Sequence, residues 1–489
     1  MKRSGIASTK RALTAVVMTA GLVPAACNPV EIPTRTMPEV VPPTTYTASG
    51  GTVPPPFQWW TAFQDDALNT HVSRAIEANL DLRQSWARLA QATAQARIAG
   101  APLLPEVNLT SSAARSRSDG GGISYQSSWV VGFGLAWEVD LWRRIANRAE
   151  ASARAAAATR QDVENTALVL SGTVTDTWFT VREQAELIAV IESQVALSEK
   201  LLEIIEYRYA NGLADALQVY QQRQQLEGVR AQLPPARSSL ETSLNALAVL
   251  QGTVPEDPAA VTVAPSLPPL PPLPELAAPA DLVDARPDLR AARNRLAAAD
   301  LEVAAAVADL LPTVSLSLGY DFNSNSFADP FTSGVSSLGG SLLQPLFDND
   351  RRGAEVVRRR AIVQERLDAF SQAFLTALRE VEDALDRERY QLELLAEIKL
   401  QLDLAEKQLK AATTSYADGV AEYLDVISAV QTQQSLQRQQ VTAHKQLLAY
   451  RSTLYRALGG AWMSQLEPPK TDAKLEADVA QEVHVEEDA

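Results

Sequence analysis

The sequence predicts a mainly α-helical chain with a membrane β-barrel component, internally duplicated, with long coiled-coil hairpins and four β-strands per protomer. Three observations predict it. Short anchors recur at one offset along the chain. Two long stretches free of proline, Arg143–Arg208 and 353–415, have helix-forming composition. Each copy also holds strand-like segments in which large apolar residues alternate with small or polar ones.

The duplication comes first because it organises everything else. Asp81-Leu82-Arg83 recurs as Asp288-Leu289-Arg290, and Leu103-Leu104-Pro105 recurs as Leu310-Leu311-Pro312, both at an offset of 207. Tyr209-Ala210-Asn211-Gly212 recurs as Tyr416-Ala417-Asp418-Gly419 at the same offset, and Leu250-Gln251-Gly252 as Leu458-Gly459-Gly460 at 208. Each copy should run helix, strand, loop, strand, long helix, turn, helix.

The chain opens with an export signal over 1–26: Lys2, Arg3, Lys10 and Arg11, then an apolar run too short to span a bilayer, then Ala25-Ala26. Cys27 follows directly and is the chain's one cysteine, placed for lipidation, although Pro24 stands where lipoprotein signals favour Leu. Residues 27–56 read as an extended tether behind that anchor. The first repeat spans 57–252. Its opening helix, about 65–100, stops at Pro102 and Pro105 because proline lacks the N–H that would continue it. Strands follow at 106–118 and 128–140, separated by the Gly-rich stretch around Gly120-Gly121-Gly122. A long helical hairpin then turns at 209–213, where Gly212 can take the left-handed conformation that ends a helix. Pro234-Pro235 should break the returning helix.

A Pro-rich linker occupies 253–280. The second repeat spans 281–466, with strands at 313–325 and 333–347 and a hairpin turning at 416–420 about Gly419. No proline matches Pro234-Pro235 in the second return, so the two hairpins should differ. The tail, 467–489, is acidic and expected to be disordered.

In the strands, Trp129, Val131, Phe133, Leu135, Trp137 and Val139 point one way, as do Val314, Leu316, Leu318, Tyr320 and Phe322. Their neighbours are small or polar. A half-buried sheet in a soluble domain would alternate equally well; the placement of each strand pair between very long helices favours a barrel wall, apolar toward lipid and polar toward water. Trp137, Trp142 and Phe347 lie near strand ends, where an interfacial aromatic belt belongs. Four strands left open in lipid would expose two unpaired edges at several kcal/mol per unmet group. Closure therefore needs more than one copy, and three copies leave room for a bore that two do not.

In the long helices Leu187, Val190, Ile191 and Val195, then Leu385, Leu392, Leu395 and Ile398, recur at coiled-coil spacing. The basic run Arg351, Arg352, Arg358, Arg359 and Arg360 reads first as a solvated helix face and second as a contact for lipid head groups.

Composition closes off other classes. A formal net charge of −15, or −19 once the four basic residues of 1–26 are removed, argues against nucleic-acid binding. A single cysteine excludes an internal disulfide, and His71, His444 and His484 share no metal-ligand spacing, so no metal is expected. No phosphate loop, catalytic triad or metal motif is present, so the chain reads as a non-enzyme without a cofactor beyond lipid on Cys27.

The ordered set Trp137-Glu138-Val139-Asp140-Leu141-Trp142-Arg143-Arg144, Arg286-Pro287-Asp288-Leu289-Arg290, Pro345-Leu346-Phe347-Asp348, Tyr416-Ala417-Asp418-Gly419, Tyr423-Leu424-Asp425-Val426 and Arg456-Ala457-Leu458-Gly459-Gly460 resembles the TolC-like outer-membrane efflux factor family, in its lipid-anchored OprM/NodT branch. The resemblance covers about 57–465. It implies a homotrimer with a twelve-stranded barrel, a periplasmic helical tunnel, and docking to a periplasmic adaptor and an inner-membrane pump of the resistance-nodulation-division type. It implies an outer-membrane, lipid-anchored location and export of small molecules whose choice lies with the pump. It further implies a periplasmic gate at Leu424, Asp425 and Tyr416, with the turns at Gly212 and Gly419 meeting the adaptor. Leu424 read alone is equally an ordinary coiled-coil core residue, and Asp425 a solvated acid at a helix start. A second gate acid of the family falls at Ser428 and a latching Arg at Ala421, so this chain lacks both. The rival class is a periplasmic coiled-coil adaptor, which would carry one helical hairpin within a β-rich segment.

Overall fold

The computed structural model describes residues 38–469 apart from 39, 49, 256–262, 327–330 and 332. The signal segment, Cys27 and the beginning of the tether lie outside the described residues, as does the tail from 470 onward.

In chain order the elements are α1 (Asp66–Ala78), α2 (Leu80–Gly100), β1 (Glu106–Ser118), β2 (Ser124–Val139), α3 (Arg144–Ala210), α4 (Ala216–Arg230), α5 (Leu233–Leu250), α6 (Leu282–Ala285), α7 (Pro287–Ala308), β3 (Thr313–Ser324), β4 (Ser333–Leu343), α8 (Arg351–Ala417) and α9 (Tyr423–Leu458). Two long helices of 67 residues each dominate, as their unbroken composition requires. The return after the first is split between α4 and α5 just before Pro234-Pro235, whereas α9 runs unbroken for 36 residues.

Three boundaries differ from the sequence reading by more than one residue. The single opening helix is two, because Asn79 adopts an extended conformation (φ −60°, ψ 129°) between α1 and α2. Its side chain stabilises the break: Asn79 Oδ1 accepts the Leu82 N–H at 2.9 Å, and Nδ2 donates to the Leu250 carbonyl at 2.9 Å. β2 begins at Ser124, four residues early, since ladder pairing from Ser118 onward needs no apolar side chain. β4 ends at Leu343 rather than 347, because Pro345 has no N–H for a ladder. Phe347 therefore lies beyond the strand.

The chain forms two compact units, each built from both repeats. The first takes Ala92–Ala156 and Asn294–Arg366; the second takes the rest of the described chain. The first unit holds one antiparallel sheet in the order β1-β2-β3-β4. β2 and β3 pair through Val131↔Phe322, Phe133↔Tyr320 and Leu135↔Leu318, so the two repeats meet at the centre of the sheet.

The second unit holds an aromatic core. Trp59, Trp60, Phe63, Trp178, Phe179, Tyr455 and Trp462 are all buried, with Phe63 and Phe179 ring centroids 4.9 Å apart and Trp60 and Trp462 4.8 Å apart, both edge to face. The buried charged groups Asp65 and Arg451 are paired, as burial demands. Asp65 caps α1 by accepting the Ala67 and Leu68 N–H groups, and it also accepts from Trp178 Nε1 and Arg182 at 2.9 Å each. Arg451 grips Glu388 with two N–H groups and donates to the Pro271 and Pro272 carbonyls of the linker. The tether pairs with the same linker, Gly51 N–H to Pro274 O at 2.9 Å and Glu275 N–H to Val53 O at 2.7 Å. At Gly51 a Cβ would collide with the Leu273 carbonyl. Within the long helices Leu385, Leu395, Ile398 and Ile191 are buried as their spacing predicts, but Leu392 is exposed in the single chain.

Candidate functional site: strand face and helix tips

The strand face follows from register. Backbone pairing puts Val107, Leu109, Ser111 and Ala113 of β1 opposite Leu135, Phe133, Val131 and Trp129 of β2. Those residues stand opposite Leu318, Tyr320, Phe322 and Ser324 of β3, and Leu318 opposite Leu338 of β4. Alternate residues of every strand thus share one face across the whole sheet. The other face carries Asn108, Thr110, Ser112, Gly132, Gly134, Asp321, Ser317 and Ser337 in the same register. Gly132 makes room for this second face, since a Cβ there would meet the Asp321 carboxylate. The apolar face is uncovered in the single chain: Leu109 is 65% exposed, Phe133 58% and Leu338 83%.

At the helix end of the sheet, two of the three residues expected in the aromatic belt donate hydrogen bonds to backbone carbonyls. Trp137 Nε1 donates to the Leu103 carbonyl at 3.1 Å, and Trp142 Nε1 to the Pro312 carbonyl at 2.7 Å. Each indole ties a strand–helix junction to the Leu-Pro anchor that precedes β1 or β3. Phe347 is almost fully exposed. Most of the basic run at this end is paired: Arg352 pairs with Asp348 at 3.1 Å, Arg358 and Arg359 with Glu355 at 2.6 and 2.7 Å, and Arg359 also with Glu302 at 3.1 Å. Hydrogen bonds from Arg358 and then Arg359 hold the Glu355 carboxyl down to about 2. These ion pairs favour the solvated-face reading over a lipid contact.

The loop end carries a further group of aromatic residues, of which sequence reasoning missed Tyr125 and Phe331. Phe322 packs edge to face with Tyr320 and with Phe331, ring centroids 5.1 Å apart in both pairs, and Trp129 and Tyr125 lie on the same face of β2. The period-two pattern already contained Trp129 and Phe322; placing them at the loop end needed only counting toward the turn.

The helix tips are built alike. Gly212 and Gly419 have φ of 72° and 74°, which glycine adopts without Cβ strain. Leu213 N–H returns to Arg208 O and Gly212 N–H to Tyr209 O; Val420 N–H returns to Ser415 O and Gly419 N–H to Tyr416 O. Both are Schellman closures that satisfy the last carbonyls of α3 and α8. Neither glycine has any atom within 4 Å of where a Cβ would stand, so only backbone conformation requires glycine there.

Between the tips, two phenols bridge the hairpins. Tyr416 Oη donates to Gln218 Oε1 at 2.9 Å, and Tyr423 Oη to Gln222 Oε1 at 2.8 Å. The two rings lie 5.2 Å apart, and the Arg208 guanidinium sits 4.8 Å over the Tyr416 ring. Burial, and then the neighbouring Tyr416, push the Tyr423 phenol up, so it remains a donor. The local core takes Ile205, Val219, Tyr423, Val426, Ile427 and Val430. Leu424 is not part of it; at 54% exposure it faces outward, which removes its reading as a core residue of the single chain. Asp425 is exposed in the first turn of α9, where a carboxylate complements the helix dipole. Leu424 and Asp425 are thus adjacent, exposed and held in place by the buried Tyr423 and Val426 on either side.

The family described as outer membrane efflux protein matches residues 71–253 and 278–460, one segment in each repeat. The pyoverdine export outer membrane protein OpmQ of Pseudomonas aeruginosa is 33% identical over 431 residues, covering 83% of this chain and 88% of that protein. Nodulation protein T of Rhizobium leguminosarum is 26% identical, covering 86% of each. Among solved structures, the outer membrane protein VceC of Vibrio cholerae superposes with a TM-score of 0.77 at 25% identity, covering 83% of this chain and all of that one.

Proposed function

Because the chain belongs to the outer membrane efflux protein family, we propose that three copies close their sheets into one twelve-stranded barrel, with the helical hairpins forming a tunnel gated at Leu424 and Asp425. The chain is an outer-membrane channel subunit of a tripartite efflux system. The family settles the choice against a coiled-coil adaptor, and its members are transport channels.

One observation carries the oligomeric reading: register gives all four strands a common apolar face, while β1 and β4 each pair on one side only among the described residues. Such edges in hydrocarbon would leave backbone groups unmet, and pairing β4 with β1 of the next copy removes every edge. The apolar face then meets lipid, and Thr110, Ser112, Asp321 and Ser317 face the bore.

At the helix tips, three copies of Leu424 form an apolar constriction and three of Asp425 an acidic ring, which favours cations. With Ser428 and Ala421 in place of a second acid and a latching Arg, the closed state relies on the Tyr416–Gln218 and Tyr423–Gln222 bridges. The tips at Gly212 and Gly419, with Leu213, Leu217 and Val420 exposed around them, suit docking of a periplasmic adaptor that links the channel to an inner-membrane pump of the resistance-nodulation-division class. Cys27, beyond the described residues, is the site for covalent lipid. No step in this reading needs catalysis or a cofactor.

Single-channel conductance of purified protein in planar bilayers tests the reading. A small wild-type conductance that rises in Leu424→Ala/Asp425→Ala supports a channel closed at that ring. Large conductance in both proteins keeps the channel and rejects the gate. No conductance from folded, inserted protein rejects the duct itself.

A further inference from the structure

The apolar strand face changes character at its loop end. On β1 it runs Val107, Leu109, Ser111, Ala113 and then becomes Arg115 and Arg117. Register sets Arg115 opposite Ser127 and Arg117 opposite Tyr125 of β2, so both cations lie on the same face as Phe133 and Leu135. The Arg115 guanidinium is 4.8 Å over the Tyr125 ring, and Arg117 Nε donates to Asp119 Oδ1 at 2.9 Å. That ion pair is open to solvent, with side-chain exposures of 52% and 67%. Asp119 pairs with Arg117 alone, and Arg115 has no carboxylate partner among the described residues. At the opposite end Arg352, Arg358 and Arg359 each pair with a carboxylate, Asp348 or Glu355.

The height of these cations matches a bilayer surface. From Trp137, at the helix end, to Ser127 and Tyr125, the strand advances ten and twelve residues. At about 3.4 Å per residue and a tilt of about 40°, that is roughly 26 and 31 Å along the membrane normal. The hydrocarbon core is about 30 Å thick. Arg115 and Arg117 thus emerge where lipid phosphates lie, one step beyond the aromatic level of Trp129 and Phe322.

We propose that Arg115 and Arg117 bind the phosphate of an anionic glycolipid in the outward leaflet, with Tyr125 orienting Arg115. A guanidinium fork matches two phosphate oxygens, and stacking on Tyr125 leaves the fork's edge N–H groups free to donate. Asp119 positions Arg117 and is displaced or shared when phosphate arrives. This rests on the barrel reading above, which turns the β1–β2 loop away from the helices and toward the cell exterior.

The test uses purified trimer, wild type and Arg115→Gln/Arg117→Gln, in phosphatidylcholine nanodiscs carrying diphosphorylated lipid A, dephosphorylated lipid A or phosphatidylglycerol. Lipid retained per trimer is read by native mass spectrometry. At about 1 kcal/mol per basic residue, the double variant should hold diphosphorylated lipid A about 30-fold more weakly, and both proteins should hold the dephosphorylated form equally. Equal retention by wild type and variant overturns the proposal. Preference of the wild type for phosphatidylglycerol over lipid A overturns the glycolipid assignment. Protease protection of the strands in the same nanodiscs reports insertion separately: wild-type protein that fails to insert sinks the barrel reading and this site with it, whereas inserted protein without phosphate preference sinks this site alone.

Discussion

Asn79 and Arg286 stand 207 residues apart and hold the same backbone joint. Each is extended, with ψ of 129° and 126°, and each interrupts a helix. Asn79 Nδ2 donates to Leu250 O at 2.9 Å, and Arg286 Nη1 to Ala457 O at 3.1 Å. Those carbonyls are themselves 207 apart, at the end of each returning hairpin. Duplication has reproduced a joint while changing the side chain that makes it. Arg286 has added Asp288 and Glu380 as partners, at 2.8 and 2.7 Å.

That difference sets the expected cost of losing each donor. Asn79→Ala removes a cap and one hydrogen bond, about 1–2 kcal/mol. Arg286→Ala also strands Glu380 and Asp288 beside a buried site and should cost about 3 kcal/mol or more. Arg286→Asn restores the amide donor and should recover part of the loss. Thermal unfolding in detergent measures all three; identical losses for Arg286→Ala and Arg286→Asn would show that the joint needs the guanidinium itself.

Glycines at equivalent backbone conformation should not tolerate alanine equally. Gly459 has φ of 78°, and a Cβ there would stand 2.6 Å from the Ala285 carbonyl oxygen. Gly212 has φ of 72° with open space around it. Gly212→Ala should cost only the left-handed backbone penalty, about 1–2 kcal/mol, and Gly459→Ala clearly more, read as the fraction of folded trimer recovered on purification.

The two strand faces predict opposite responses to charge. Leu109→Arg places a cation toward lipid and should cost about 2–4 kcal/mol near mid-membrane. Asn108→Arg, one residue away, points to the bore and should insert normally while altering ion selectivity. Membrane insertion assays on the pair check the register; equal insertion would mean that the faces are assigned wrongly.

Acid should loosen the second unit through histidine. His71 is packed 4.5 Å from the Trp178 ring and bonded through Nδ1 to Gln251 at 2.7 Å. Burial first, then Arg74, push its pKa down, while Asp65 and Gln251 oppose the shift. Burial also lowers His444, with Lys399 adding to the shift and Glu186 opposing it. A folded-state pKa below the unfolded value means that the unfolded chain takes up the proton first. The stability is therefore complete above about pH 6.5 and declines as pH falls below it. Thermal unfolding between pH 7.5 and 5.5 should show this decline, and His71→Gln/His444→Gln should flatten it.

Much of this molecule could be read along the chain. The 207-residue offset, the proline-free helices, the Gly turns and the alternating strands are local or periodic properties, and periodicity alone decides which residues become helix or strand. The offset even held the signal for the break at Asn79, because Arg286 precedes Pro287 at the matching place. What the sequence could not decide was which stripe of each element is covered. Leu392 and Leu424 fit coiled-coil spacing as well as Leu395 or Val426 do, yet the first two are exposed and the latter two buried. Spacing specifies a face but not the partner that covers it, and the partner is chosen by contacts hundreds of residues away. The same holds for charge. Arg351 to Arg360 is the denser basic run, but Asp348, Glu355 and the distant Glu302 neutralise most of it. Alternation along β1 puts Arg115 and Arg117 on the face of Val107 and Leu109, but only tertiary structure sets Arg115 over Tyr125 and leaves it without a carboxylate among the described residues.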